Sequence, residues 1–151
     1  MPMRLVYLYP LLLAGCMVPN AREKLSESLQ KYNAAVRWGA KEWAAEHVAP
    51  EKRKDLFAQR VEFGELQVTD CQVGAVKLKG KGKAVALVQV DWYLVSTLTV
   101  RTSIIEQQWD LRSGRWLMTS ERLVKGAPYP PLMSAPKARR FQHQPRRVSQ
   151  N

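Results

Sequence analysis

The sequence predicts an α+β fold, with one long N-terminal helix and one short helix packed on a curved antiparallel sheet of about four strands. Three observations predict it. Apolar residues recur every three or four positions from Leu25 to Val48, and every second position after Val61. The turn signals Lys79-Gly80-Lys81-Gly82-Lys83 and Ser113-Gly114 punctuate the second half. The helical pattern ends before the strand pattern begins, which argues against an alternating parallel architecture.

The elements follow in order. Asn20 stands three residues before Glu23, the spacing of a capping box. Leu25, Leu29, Tyr32, Val36, Ala40, Trp43 and Val48 then line one face of a helix ending near His47, with Trp43 expected against the sheet. Arg22, Glu23, Lys24, Lys31, Lys41 and Glu42 form its solvated face. Ala49-Pro50 breaks this helix, and Pro50 suits the first turn of a second one, Glu51 to about Arg60, packed by Leu56 and Phe57. Val61 and Phe63 share one phase and Leu66 and Val68 the other, so Gly64 between them suggests a bulge or bend. Val76 and Leu78 lead to the lysine-glycine turn. Ala84 to Val95 is a strand with Ala84, Ala86, Val88, Val90, Trp92 and Leu94 on one face; Val85, Leu87, Gln89, Asp91 and Tyr93 take the other. Ser96 to Thr99 turns, Val100 to Leu111 is the next strand, and Trp116 to Val124 closes the sheet.

The expected organisation is therefore a leader at 1–15, a tether at 16–19, a domain at 20–124 and a tail at 125–151. Of 24 Lys and Arg in the 151 residues, six lie in the tail, which has no acid, whereas residues 16–124 balance 17 basic against 13 acidic residues. The tail includes Ala127-Pro128-Tyr129-Pro130-Pro131 and, in Arg139, Arg140, Arg146 and Arg147, its strongest basic run. It reads as a basic, proline-containing disordered segment with an anionic partner.

At the N-terminus Arg4 precedes an uncharged run, Leu5 to Leu13, too short to span a bilayer and suited to the apolar region of an export signal. Leu13-Ala14-Gly15-Cys16 resembles the bacterial lipobox: a bulky aliphatic residue, two small ones, then a nucleophilic thiol. The resemblance implies cleavage after Gly15 and lipid attachment at Cys16, with Met17 rather than Asp favouring the periplasmic face of the outer membrane. The competing reading is an accidental cysteine at a buried helix start. If Cys16 is lipidated, the other cysteine, Cys71, has no partner in the chain and the domain stands without a disulfide.

A long helix cradled by a bulged sheet, with the aromatic-rich hairpin Val90-Asp91-Trp92-Tyr93 … Glu106-Gln107-Gln108-Trp109-Asp110-Leu111 … Gly114-Arg115-Trp116, resembles the cystatin-like cone of the nuclear transport factor two superfamily over roughly residues 20 to 124. Enzymes of that fold use His–Asp or Tyr–Asp sets inside the cone. Of the two histidines here, His143 lies in the tail and His47 at a helix C-terminus, where the dipole favours its charged form. Asp91, sharing a strand face with Gln89 and Tyr93, is a candidate polar group for a ligand pocket or a general base, with Tyr93 and Glu106 as further pocket candidates. The plainer reading of each is a solvent-facing strand residue or, for Asp91, one paired with Arg101 on a neighbouring strand. Cys71 reads as a small buried residue. Lys77, Lys79, Lys81 and Lys83 alternate about a turn, protecting an edge by charge or touching an anionic surface.

No His or Cys cluster suggests a metal, no phosphate loop is present, and no cofactor is expected. The expectation is a non-enzymatic, membrane-anchored binding or scaffolding module of the cell envelope. Its partners would be the membrane through Cys16, anionic lipid, lipopolysaccharide or peptidoglycan, and an envelope protein, but no nucleic acid. The alternative is a small-ligand-binding or catalytic cone using Asp91.

Overall fold

The computed structural model describes residues 20–61 and 64–133, the side chains of 56–61 excepted. The leader, Cys16 and residues 134–151 lie outside the described residues, as do the packing of Leu56 and Phe57 and the strand assignment of Phe63. The elements run α1 (Ala21–Arg37), α2 (Lys41–Glu46), α3 (Pro50–Val61), β1 (Leu66–Gly80), β2 (Lys83–Leu94), β3 (Arg101–Arg112), β4 (Arg115–Gly126) and α4 (Pro130–Met133). The four strands form one antiparallel sheet in chain order, as expected, with helices first.

α1 starts where its cap is. Asn20 Oδ1 accepts from the backbone N–H of Arg22 and Glu23, and Glu23 Oε2 accepts in return from the Asn20 N–H at 3.1 Å. The single long helix expected to reach His47 is instead two. Gly39 adopts φ +68°, the Gly39 N–H donates to the Val36 carbonyl, and the Ala40 N–H donates to the Ala35 carbonyl. These bonds are a Schellman motif, which satisfies the last carbonyls of α1 and ends it. The break rotates α2, so Ala44 enters the core while Trp43, expected against the sheet, is 71% exposed. Pro50 opens α3, and Val61 is its last residue rather than part of a strand.

The edge strands bend and the central pair does not. β2 and β3 keep one register from Lys83–Asp110 to Trp92–Arg101. β1 shifts against β2 between Val68 and Asp70, between Val73 and Val76, and again at the turn, so the bulges fall later than Gly64. β4 shifts against β3 near Val124 and Thr119. The β4 edge is covered in part by the α2–α3 connection: Val48 bridges Met118, the Ala49 N–H donates to the Met118 carbonyl at 2.9 Å, and the Met118 N–H donates to the His47 carbonyl at 2.8 Å.

The core lies between α1 and the concave face. Leu25, Leu29, Tyr32, Ala84, Ala86, Trp109, Trp116 and Met118 form one buried cluster, and Val88, Val90, Trp92, Ile105 and Tyr129 a second. Tyr129 corrects the expected tail boundary. β4 continues to Gly126, the Ala127 N–H donates to the Thr102 carbonyl, and Tyr129 and Pro131 are buried, so residues 125–133 belong to the domain. Proline here fixes an extended approach to a packed aromatic rather than marking disorder.

Candidate functional site

The sequence-chosen carboxylates lie on the sheet face away from α1. Strand alternation buries Ala84, Ala86, Val88, Val90 and Trp92 and leaves Asp91 and Tyr93 half-exposed on the other side. Thr102, not Arg101, stands opposite Asp91, and its hydroxyl donates to Asp91 Oδ1 at 2.7 Å. Gln89 Nε2 reaches the same carboxylate at 3.4 Å. Glu106 is clamped by Arg122, whose Nε and Nη2 donate to its two oxygens at 2.9 and 3.0 Å. That clamp holds the Glu106 carboxyl below its ordinary range. Asp91, Tyr93 and Glu106 line neither cleft described below.

Lys77, Lys79, Lys81 and Lys83 are all exposed around the β1–β2 tip, and Lys83 Nζ sits 3.2 Å from Asp110. Cys71 is half-buried on β1 beside the second core cluster rather than fully enclosed. The charged form expected for His47 is not favoured. Partial burial lowers its pKa, and the nearby Lys31 and Arg115 lower it further, outweighing a helix of six residues. Cys16, Arg139, Arg140, Arg146 and Arg147 lie outside the described residues.

The concave face holds polar groups that sequence reasoning missed. The shift at Thr119 moves the inward phase of β4 from Trp116 and Met118 to Glu121. The Tyr32 hydroxyl and Gln107 Nε2 donate to Glu121 Oε1 at 2.9 and 3.0 Å. Gln107 Nε2 also donates to Asn33 Oδ1 at 2.9 Å, and Asn33 Nδ2 donates to Gln107 Oε1 at 3.2 Å. Around this cluster the cone is filled by its own aromatics: Tyr32 meets Trp109 edge-on at 5.7 Å, and Trp92 meets Tyr129 at 5.8 Å. Among the described residues no three His, Cys, Asp or Glu side chains gather as metal ligands.

Open space is found instead at the corner between α1 and α2. A cleft of about 490 Å³ runs between the end of α1, the start of β1 and the Tyr129 segment, lined by Val36, Trp38, Leu66, Val68 and Tyr129 among others. A groove of about 440 Å³ lies on the other side of Trp38, between Ala34, Ala40, Trp43 and His47. Trp38 is 77% exposed and borders both. The Arg37 guanidinium lies 5.3 Å from its ring centroid and 3.4 Å from Asp70, which ties the indole to β1. Trp38-Gly39 was the available signal for this corner, a large aromatic beside a helix stop. Two indoles exposed to this degree offer flat apolar contact with polar handles, a chemistry of recognition.

No protein-family model matches the chain, and no curated protein matches it. Several solved structures do. A nuclear transport factor two-like protein of unknown function from Shewanella oneidensis aligns with a TM-score of 0.54 at 12% identity, over 69% of this chain and 98% of that one. A nuclear transport factor two-like protein from Cytophaga hutchinsonii aligns with a TM-score of 0.54 at 13% identity, over 70% and 100%. A protein of unknown function with a cystatin-like fold from Nostoc punctiforme aligns with a TM-score of 0.50 at 14% identity, over 78% and 100%. The chain has the cystatin-like cone fold of these nuclear transport factor two-like proteins.

Proposed function

We propose that the chain is a lipoprotein of the cell envelope, anchored through Cys16, whose cone acts as a non-enzymatic binding or scaffolding module and binds through the Trp38–Trp43 corner. The observation that supports it is the distribution of aromatics. Tyr32, Trp92, Trp109, Trp116 and Tyr129 plug the cone, while Trp38 and Trp43 stand in solvent at a corner bordered by two open clefts. A plugged cone does its work at its surface, and exposed tryptophans are the residues that anchor interfaces.

Three measurements test this. Envelope fractionation of wild type and Cys16→Ala should find the first membrane-bound with a lipid-modified N-terminal peptide and the second released or unprocessed; identical behaviour overturns the anchoring. Crosslinking in intact envelopes should give adducts that Trp38→Ala/Trp43→Ala loses while its thermal midpoint is unchanged. Retention of every adduct excludes the corner. An isomerase, dehydratase or hydrolase activity abolished by Asp91→Asn overturns the non-enzymatic reading.

A second reading is favoured by the 490 Å³ cleft, whose volume suits a small ligand and whose lining sets Val36, Leu66 and Val68 beside Arg37, Lys41 and Gln67, fit for an amphipathic one. Val68→Trp would fill it, and loss of binding of an amphipathic fluorophore in that variant alone supports this reading.

A further inference from the structure

The start of α1 and both hairpin tips meet at one end of the molecule. Trp116 Nε1 donates to the Ala21 carbonyl at 2.8 Å, fixing the first residue of α1 against the start of β4. The Leu111 N–H donates to the Gly82 carbonyl at 2.7 Å, fixing the β1–β2 tip beside the β3–β4 tip. This end is basic. Arg22, Lys77, Lys79, Lys81, Lys83, Arg112 and Arg115 are exposed there. Asp110 engages Lys83 and Arg112, and Glu51 engages Arg112. Lys77, Lys79 and Lys81 have no salt bridge among the described residues.

Cys16 stands four residues before Asn20, and four extended residues reach about 14 Å at most. A lipid on Cys16 therefore holds this end near a bilayer. Trp38 lies beyond the far end of a 17-residue helix, about 25 Å along its axis.

We propose that the hairpin end docks on the anionic head groups of the membrane that receives the Cys16 lipid, leaving the Trp38–Trp43 corner facing away from it. This rests on the anchoring reading above. Lys77, Lys79 and Lys81 supply the charge complement, each worth about fivefold in affinity for an anionic surface. Tether and lysines act together, because the lipid raises the local concentration of the lysines at the head groups.

The test uses the full chain and vesicles of phosphatidylcholine with or without phosphatidylglycerol. In the Cys16→Ala chain, Lys77→Gln/Lys79→Gln/Lys81→Gln should lower the ratio of anionic to neutral vesicle binding by roughly 100-fold. An unchanged ratio overturns the docking surface, as does binding to purified peptidoglycan with none to anionic vesicles, or a ratio abolished by deleting 134–151 alone. In the Cys16-intact chain with Cys71→Ser, a fluorophore on Lys81→Cys should be quenched by head-group-labelled lipid more than one on Thr97→Cys; the reverse order overturns the orientation. The mass of the Cys16 peptide reports separately on the anchoring, so its failure is distinguishable from failure of the lysines.

Discussion

Asn33 and Gln107 exchange two amide hydrogen bonds, 3.2 and 2.9 Å long, across the interface between α1 and β3, and both are buried. The pair locks the rotation of the helix over the sheet, because an apolar contact would tolerate a slide that these bonds do not. Gln107→Leu leaves Asn33 Oδ1 without the Gln107 donor in the core, while Asn33 Nδ2 keeps the Leu29 carbonyl, and should destabilise by about 1–3 kcal/mol. Asn33→Leu/Gln107→Leu should recover part of that loss in urea unfolding, since removing both partners avoids the orphaned group. A double variant no more stable than Gln107→Leu would show that the pair does not act as a unit.

Trp109 and Trp43 should behave as opposites under truncation. Trp109 is fully buried and packed edge-on against Tyr32, so Trp109→Ala should cost about 3–5 kcal/mol. Trp43 is 71% exposed, so Trp43→Ala should stay within about 0.5 kcal/mol of wild type. Comparable losses from the two, by denaturant midpoint, would place Trp43 in the core after all.

His47 gives a pH dependence with a defined sign. Its folded pKa is below the ordinary value of 6.5, so the unfolded chain binds the proton more readily. Its contribution is whole above that value and is lost as pH falls through and below it. The depressed carboxylates Glu27, Glu51, Asp70 and Glu106 act only below their ordinary values of 4.5 and 3.8, outside this window. Between about pH 7.5 and about pH 5.5, wild type should lose more stability than His47→Gln in urea titrations. Parallel curves would assign the dependence elsewhere.

Gly126 should tolerate no side chain. It has φ +94°, and a Cβ there would lie 2.4 Å from the Thr102 carbonyl oxygen, a backbone atom with little room to yield. Gly126→Ala should therefore destabilise by more than about 1 kcal/mol and detach the Tyr129 segment, read as increased fluorescence quenching of Trp92. Gly64→Ala, with open space around it, is the control that should leave the fold intact.

The fold was legible where one local rule decided it. The capping pair Asn20 and Glu23, the two-residue period of β2 and the Ser113-Gly114 turn each act within a few residues. Asp91 could be placed by its phase: it alternates against Ala84, Ala86, Val88 and Val90, and the face those residues bury is the one beneath α1. The Asn33–Gln107–Glu121 cluster was not readable. It joins positions 74 and 14 residues apart, and Glu121 points inward only because β4 gains a residue at Thr119. Trp43 failed for a smaller reason, since one glycine at positive φ reset the helical phase after Arg37. The packing of Tyr129 was hidden because prolines describe backbone shape and not burial.

The unbroken register of β2 against β3, set between edge strands that slip, divides the molecule mechanically. Amide protons along Ala84–Trp92 and their β3 partners sit in a ladder with no weak point, so they should be the last to exchange with solvent. β1 and β4 carry their irregularities at the rims. Amides at those rims should exchange earlier than the β2–β3 spine, which orders the core from its centre.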